Sequence, residues 1–349
     1  MSQQKTLRLT EFSHGGGCGC KIAPSILSEI LKSSKGLPIP KELMVGIETS
    51  DDAAVYRLND NQALIATTDF FMPIVDDPFD FGQIAATNAI SDVYAMGGTP
   101  IMALALLAMP VNKLTVEEIG KIIQGGESIC AAAGIPIAGG HTIDSVEPIY
   151  GLVALGLAHP DHIKRNSDAK KGDQLILGKP IGVGILSAAL KKGALNSAGY
   201  ADMIRYTTML NKPGIALGQL DGVHAMTDVT GFGLLGHALE IARGSGLRIQ
   251  LKANKIPMIE NVYNLIAKGY ITGASHRNWA GYGESIRFTS NHDDALQSLL
   301  TDPQTSGGLL VSCSVEATQK VLEIFQYHGF TEACVVGEVI EGTPMVDII

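Results

Sequence analysis

Aspartates stand at or inside apolar segments at several places along the chain, namely Asp51, Asp52, Asp69, Asp92 and Asp228. One aspartate at the edge of an apolar segment is usually a cap or a turn residue. Asp92 differs because it lies inside an apolar helical pattern, four residues after Asn88, and an unpaired buried charge is costly. Mg²⁺ takes one or two carboxylates together with waters and substrate phosphates. The aspartates therefore predict a site for magnesium and a phosphate compound.

A second chemical signal is the string His14-Gly-Gly-Gly-Cys-Gly-Cys-Lys21. The thiolate is the nucleophilic form of cysteine, and a nearby lysine lowers the cysteine pKa, so we expect Cys18 to be reactive. Cysteines one residue apart are poorly spaced for a structural zinc site. The glycines disfavour helix and strand, which predicts a mobile loop. A disordered tail without a chemical role is the alternative.

Two glycine-containing strings could approach a phosphate group. Gly139-Gly140-His141-Thr142 follows a predicted strand, where backbone N–H groups can face an anion, although a tight turn explains the glycines equally well. Asp302-Pro-Gln-Thr-Ser-Gly-Gly308 is interpreted on its own as a turn before a strand. The chain has no Walker A pattern and no kinase glycine-rich loop. Any ATP site must therefore be built in another way.

Composition narrows the class of protein. The 349 residues carry a formal net charge of −9, which disfavours nucleic acid as a partner. No apolar run is long enough to cross a bilayer, and the N-terminus lacks an apolar signal region, so no membrane association is expected. Five cysteines do not suggest a disulfide framework and fit a reducing compartment. We expect a cytoplasmic protein.

The apolar patterns alternate between strand and helix and predict an α/β (α+β) chain with two mixed domains. Residues 1–48 are predicted as a mobile Gly/Cys-rich segment, 49–160 as the N-terminal domain and 170–349 as the C-terminal α+β domain. Thr115 and Glu118 have the spacing of a capping box. Strands are predicted over Ala63–Thr67, Ile101–Met109, Ile135–Ala138, Ile149–Leu157, Gln174–Leu177, His224–Met226, Gly308–Ser312 and Ala333–Val339. Helices are predicted over Pro24–Lys32, Phe81–Met96, Gly182–Lys191, Met203–Leu210, Phe232–Ala242 and Glu316–Tyr327, and from Thr115.

Together the strings resemble the selenophosphate synthetase (selenide, water dikinase) family over nearly the whole chain. Several of them also resemble the wider aminoimidazole ribonucleotide synthetase superfamily, whereas the Gly-Cys-Gly-Cys-Lys string is specific to the selenophosphate branch. Besides the cysteine string, the resemblance is carried by Asp51-Asp-Ala-Ala54, Thr67-Thr-Asp-Phe-Phe-Met72, Ala86-Thr-Asn-Ala-Ile-Ser-Asp92, Ala138-Gly-Gly-His-Thr142, Met226-Thr-Asp-Val-Thr-Gly-Phe-Gly233 and Asp302-Pro-Gln-Thr-Ser-Gly-Gly308.

The resemblance implies an enzyme that converts ATP, selenide and water into selenophosphate, AMP and orthophosphate, which supplies selenium for selenocysteine and selenouridine synthesis. It implies two domains of the aminoimidazole ribonucleotide synthetase type and a homodimer whose N-terminal sheets pair. Mg²⁺ is the implied cofactor and ATP a substrate, with K⁺ and a selenium-delivery protein left open. Carried over by motif, the catalytic residues are Cys18 and Lys21, the metal ligands are Asp52, Asp92 and Asp228, and the ATP contacts are Lys21, Thr49, Ser50, Asp51, Asp69, Asn88, Asp92, Gly140, His141 and Thr142.

Two other functions stay open. A sister synthetase of the same superfamily, which activates an amide or thiocarboxamide with ATP, would share the aspartate and Gly-Gly strings but would not need the Cys-Gly-Cys-Lys loop. A non-catalytic nucleotide- or metal-binding dimer could use Cys18 and Cys20 as metal ligands. Activity that survives deletion of the loop would favour the sister synthetase over the main hypothesis. Metal binding without ATP turnover would favour the non-catalytic dimer.

Overall fold

The computed structural model describes residues 8–21, 26, 30, 39–46, 51–289 and 293–349. Thr49 and Ser50, which the resemblance assigns to ATP binding, lie outside these residues. So does most of the helix predicted over Pro24–Lys32. No helix among the described residues is long and apolar enough to cross a membrane.

The first domain is built on a six-stranded sheet in the order β1-β2-β3-β6-β4-β5. Only β4 and β5 pair in parallel, and the other neighbours are antiparallel. β1 falls within the segment predicted as mobile, but it pairs with β2 and extends the sheet. The strands are β1 (Leu43–Val45), β2 (Ala54–Asn59), β3 (Gln62–Phe71), β4 (Thr99–Met109), β5 (Ile137–Asp144) and β6 (Ile149–Ala158).

Two long helices cover one face of this sheet: α1 (Pro78–Ala95) and α2 (Val116–Ala133). Asp77 caps α1 by accepting the Asp80 N–H at 3.0 Å, and Gly97 ends the helix with φ of +78°. The predicted capping box at the start of α2 is confirmed, because the Thr115 and Glu118 side chains each accept the other residue's backbone N–H. The periodicity of this half of the chain is therefore a sound guide to its helices.

The opposite face of the first sheet carries exposed apolar side chains. Along β3 the side chains alternate, so that Phe71 is buried whereas Phe70 is 51% exposed. Ile101 on β4 and Ile143 on the edge strand β5 are 40% and 56% exposed. Large apolar residues in such an arrangement mark an interaction surface.

The second domain contains a seven-stranded mixed sheet in the order β10-β13-β9-β12-β7-β11-β8. β13 pairs in parallel with β9 and β10, and the remaining pairs are antiparallel. The strands are β7 (Gln174–Leu177), β8 (Val223–Asp228), β9 (Arg248–Leu251), β10 (Ile286–Phe288), β11 (Leu309–Cys313), β12 (Cys334–Ile340) and β13 (Val346–Ile348).

The four helices predicted in the second domain are present and differ from prediction mainly at their ends. Four others were not predicted: Pro213–Gly218, Val262–Ala267, Gly273–Tyr282 and Asp294–Leu300. The helix predicted over Met203–Leu210 runs over Ser197–Thr207, because Asn196 caps its start by accepting the Gly199 N–H at 2.8 Å. The helices are α3 (Val183–Lys191), α4 (Ser197–Thr207), α5 (Pro213–Gly218), α6 (Gly233–Ser245), α7 (Val262–Ala267), α8 (Gly273–Tyr282), α9 (Asp294–Leu300) and α10 (Thr318–Tyr327).

The described part of the N-terminal segment, residues 8–21, lies between the two domains. It forms 3₁₀ turns over Leu9–Phe12 and Gly17–Cys20, and Leu9 and Cys18 are buried. The segment fits because its glycines permit close approach: a Cβ on Gly16 would lie 2.4 Å from the Pro73 carbonyl oxygen. Gly17, with φ of +54°, is equally restricted, since its Cβ would lie 2.4 Å from Thr305 Oγ1. Glycine, which disfavours regular structure, is here what allows the string to pack.

Candidate active site

Three carboxylates meet at the junction of the domains. Asp52 precedes β2, Asp92 lies on α1, and Asp228 ends β8 in the second domain. One oxygen from each lies within 4.8 Å of the others. The cluster forms because the C-terminal end of β8 reaches α1, where Ser91 donates to Asp228 Oδ2. These are the three residues that the resemblance implies as metal ligands.

The electrostatics of this cluster favour a cation. Burial and the neighbouring carboxylates raise the pKa values of Asp52 and Asp92 well above their ordinary value, and burial also raises the pKa of Asp228. Asp52 Oδ1 accepts the Thr227 hydroxyl at 2.8 Å, whereas its buried Oδ2 has no hydrogen-bond partner in the described part of the chain. An oxygen donor set of this kind, with one orphaned atom, fits a hard divalent cation such as Mg²⁺.

A second group, formed by Lys21, Asp69 and Asn88, adjoins the carboxylate cluster. Lys21 Nζ lies 3.7 Å from Asp69 Oδ2, and the Asn88 amide nitrogen donates to the same oxygen at 2.5 Å. Burial alone would lower the pKa of Lys21, but Asp69 and the other nearby carboxylates raise it above its ordinary value. Lys21 is therefore a permanent positive charge beside the cluster, and its side chain remains 42% exposed.

Cys18 is buried against this second group. Its thiol donates to Asn88 Oδ1 at 3.1 Å, and its backbone N–H donates to Thr305 Oγ1 at 3.3 Å. Lys21 lowers the Cys18 pKa, as expected, but other effects outweigh it in the folded protein. Burial raises the pKa of Cys18 well above its ordinary value, Asp69 raises it further, and the opposing effect of Lys21 is smaller. The raised pKa favours the protonated thiol, which is the form that can donate to Asn88.

Hydrogen bonds settle the orientation of the Asn88 amide. The backbone N–H of Ser306 donates at 2.7 Å to the same side-chain oxygen of Asn88 that accepts the Cys18 thiol. A backbone N–H can only donate, so this atom is the oxygen, and the amide nitrogen must face Asp69. Asn88 thus joins the thiol to the carboxylate that holds Lys21.

Sequence reasoning missed the residues that support the site from the second domain. Thr305 and Ser306 belong to the Asp302–Gly308 string, which was interpreted only as a turn. Asn211 donates to Ser91 Oγ at 2.8 Å and to the Gly307 carbonyl at 2.9 Å. The high density of small polar residues in the string was the available signal. No local pattern marks Asn211, because its partners come from distant parts of the chain.

Some of the predicted site residues make contacts away from the carboxylate cluster. Asp51 lies nearby in sequence but accepts the Asn166 N–H at 2.8 Å. Gly140, His141 and Thr142 lie exposed on the edge strand β5, and β6 and β4 separate β5 from β3, which carries Asp69. Because neighbouring strands are about 4.8 Å apart, β5 lies roughly 14 Å from β3 across the sheet.

Both halves of the chain match models of one protein family. The model described as "AIR synthase related protein, N-terminal domain" matches residues 50–158, and "AIR synthase related protein, C-terminal domain" matches residues 170–347.

Whole-length relatives are also found. Over 346 residues the chain is 62% identical to a protein of Dechloromonas aromatica named selenide, water dikinase, with 99% of each chain covered. A protein of the same name from Pseudomonas straminea is 61% identical over 350 residues, which cover 99% of this chain and 97% of the relative. The Rhizobium meliloti protein of that name is 55% identical over 342 residues, with 98% of each covered.

Solved structures share the fold at much lower identity. A HypE–HypF complex contains a chain with a TM-score of 0.68 and 19% identity, covering 93% of this chain and 95% of that one. A structure titled "AaThiL complexed with AMPPCP and TMP" gives a TM-score of 0.64 and 19% identity, with 99% and 96% covered. At these identities the likeness is one of fold.

Proposed function

The chain belongs to the AIR synthase-related family and, within it, to the selenide, water dikinases, and from this premise we propose how its own residues carry out the reaction. The reaction converts ATP, selenide and water into selenophosphate, AMP and orthophosphate. The observation that carries the proposal is the position of Cys18: one amide, Asn88, links its thiol to the Asp69–Lys21 pair beside the carboxylate cluster.

We assign the three clustered carboxylates to Mg²⁺. Asp52, Asp92 and Asp228 would hold the ion, which when bound neutralises phosphate charge and orients the transferring group. Without a cation, this cluster would repel the polyphosphate of ATP. Calcium is the obvious competitor for oxygen ligands, and the small size of Mg²⁺ suits the compact cluster better. A K⁺ requirement rests on the family resemblance alone.

Lys21 and Cys18 belong to the same loop and have different roles. Lys21 supplies a positive charge toward the nucleotide phosphates, since Asp69 keeps it protonated. When selenide enters, the Cys18 thiol would turn its S–H from Asn88 Oδ1 to the selenide anion and so hold the nucleophile in line with the phosphate. No covalent selenium–sulfur bond is needed for this role. The packed loop excludes water from the first phosphoryl transfer.

The nucleotide site is proposed to be completed in a homodimer. The exposed apolar face with Phe70, Ile101 and Ile143 is suited to packing against its own copy. Gly140, His141 and Thr142 are several strands away from Asp69 in their own chain. We assign these three residues to the nucleotide of the partner subunit, which the dimer brings close. We propose a cytoplasmic location, because thiols such as Cys18 stay reduced there.

The proposal is tested by phosphorus NMR of the purified protein with ATP, magnesium and selenide under anaerobic conditions. We expect a selenophosphate resonance together with AMP and orthophosphate. Cys18→Ala and Asp92→Asn should each abolish selenophosphate formation, since they remove the selenide contact and a metal ligand. Full selenide-dependent activity of Cys18→Ala would refute the role of the thiol, and ATP consumed without a selenium–phosphorus species would favour a sister synthetase.

A further inference from the structure

Lys179 is a buried lysine that the reaction described above does not use. It follows β7, and its side chain is 1% exposed. Its Nζ donates to the carbonyl oxygens of Met209 at 2.6 Å and of Ser306 at 2.7 Å. Burial lowers the pKa of Lys179 to about 7. Burying a lysine amino group costs free energy, so we expect Lys179 to have a specific structural or functional role.

Ser306, the residue that Lys179 holds, has an unusual backbone conformation. Its φ is +51°, in the left-handed region that residues other than glycine rarely adopt. All three of its polar groups are engaged: the carbonyl accepts from Lys179, the N–H donates to Asn88 Oδ1, and the hydroxyl donates to the Ile84 carbonyl at 3.1 Å. Strain of this kind persists only where the surroundings impose it, and it concentrates at functional sites.

The strained turn is in direct contact with the Cys18 site. Ser306 fixes the Asn88 oxygen that accepts the Cys18 thiol, and the preceding residue, Thr305, accepts the Cys18 N–H. These groups are all buried, so each lost hydrogen bond leaves a polar atom without a partner. The geometry of Cys18 therefore depends on the conformation of this turn, whose Ser306 carbonyl accepts a hydrogen bond from Lys179.

We propose that Lys179 is a positioning residue for Cys18, which acts by holding Ser306 in its left-handed conformation and thereby fixing Asn88 against the thiol. The inference rests on the proposed function for its effect on catalysis. Its structural part does not, because the burial of Cys18 can be measured without selenide or ATP. The hydrogen bonds of the Lys179 side chain in the described part of the chain go to the Met209 and Ser306 carbonyls, not to Cys18.

Lys164 offers a matched control. It too is buried, at 9% exposure, and its Nζ donates to two carbonyl oxygens, of Val223 at 2.8 Å and Leu220 at 3.4 Å. Burial lowers its pKa as well. These partners lie at and before the start of β8, whereas Asp228 lies at its end. Lys164→Met therefore removes the same kind of interaction without touching the turn at Ser306.

The experiment measures the rate at which iodoacetamide modifies Cys18 in the full-length protein, by mass spectrometry of the peptide, alongside steady-state kinetics. Modification requires the loop to open, since Cys18 is 1% exposed. We expect Lys179→Met to speed modification by about fivefold or more and to lower kcat, with KM for ATP changed less than about twofold. Lys164→Met should leave the modification rate within about twofold of the wild type even if the protein is less stable. An unchanged rate in Lys179→Met, or an equal rise in Lys164→Met, would overturn the proposal.

A second variant tests whether Lys179 acts through Ser306. Glycine adopts a φ of +51° without strain, so in a Ser306→Gly protein the turn no longer needs the lysine to hold it. The effect of Lys179→Met on the rate of Cys18 modification should be smaller in the Ser306→Gly background. Because the double variant is less strained at position 306, the comparison can still be made if Lys179→Met alone folds poorly. An undiminished effect would contradict the route through Ser306. Absence of selenophosphate from the wild-type protein would instead count against the proposed function and leave these modification rates valid.

Discussion

Ser91 on α1 donates a hydrogen bond to Asp228 at the end of β8, and this contact joins the two domains at the carboxylate cluster. Asn211 in turn donates to Ser91, so the hydroxyl has a defined direction. Ser91 precedes Asp92 in sequence, so one turn of α1 supplies both a proposed metal ligand and the group that orients another. The spacing of the cluster is thus set by the docking of the domains.

Ser91→Ala should weaken metal binding without removing a ligand. The variant frees Asp228 from its donor, and loss of such a partner typically costs about 10- to 100-fold in metal affinity or activity. The measurement is the dependence of ATP turnover on magnesium concentration. Ser128→Ala on α2 is a suitable control, because its hydroxyl bonds Gln83 and the Gly125 carbonyl, away from the cluster. A magnesium dependence like that of the wild type would show that Ser91 does not orient Asp228.

Mixing two inactive variants should restore activity if the dimer shares its sites. Asp92→Asn and the double variant His141→Ala/Thr142→Ala would each be inactive alone, because each damages both sites of its own dimer. After equal mixing and subunit exchange, half the dimers are mixed and each has one intact site, so about a quarter of wild-type activity is expected. The measurement is selenide-dependent AMP formation before and after exchange. No recovery, with exchange verified by mass, would place all these residues in one chain's site.

Gly17→Ala should impair the packing of the N-terminal segment. An alanine Cβ would lie 2.4 Å from Thr305 Oγ1, and the φ of +54° adds strain. We expect activity to fall at least about tenfold and the thermal unfolding temperature to fall with it, since the segment packs between the two domains with Leu9 and Cys18 buried. Gly193→Ala separates the two causes, because Gly193 has φ of +69° and nothing within 4 Å of its Cβ position. Equal losses in both variants would assign the effect to backbone strain alone.

Asp302 should make stability depend on pH. Burial raises its pKa in the folded protein to about 8, above the ordinary value of 3.8. The protonated form is favoured in the folded state, so its contribution to stability is fully present below about pH 4 and is lost as pH rises through about 8. Asp302→Asn keeps a neutral side chain at this position. Its free energy of unfolding, relative to the wild type, should therefore rise between pH 5 and 8, as urea denaturation would show. A constant difference across this range would mean that Asp302 does not titrate there.

The elements around the site were largely accessible to sequence reasoning. The apolar period of α1 placed Asn88 and Asp92 on one face, and the strand ends placed Asp69 and Asp228. These predictions worked because each depends on residues close together in the chain. The six-residue strand β2 was not predicted either, and the short strands β1, β9, β10 and β13 escaped because three or four residues give too little periodicity to recognise.

The supporting hydrogen bonds could not be predicted, because they join residues far apart in sequence. Ser306 is 218 residues from Asn88, and Thr305 is 287 residues from Cys18. The expectation of a lowered Cys18 pKa failed for a related reason. The adjacent Lys21 was visible in the sequence, whereas the burial that outweighs it arises only when the two domains enclose the loop.

The carboxylate cluster has a consequence for the relation between the two domains. Asp52 and Asp92 belong to the first domain and Asp228 to the second, so in the absence of a cation their mutual repulsion opposes the domain interface. A bound ion reverses the sign of that interaction and draws the same surfaces together. If the cluster holds a divalent ion as proposed, the ion concentration would control interdomain closure, because part of the binding free energy would go into bringing the two domains together.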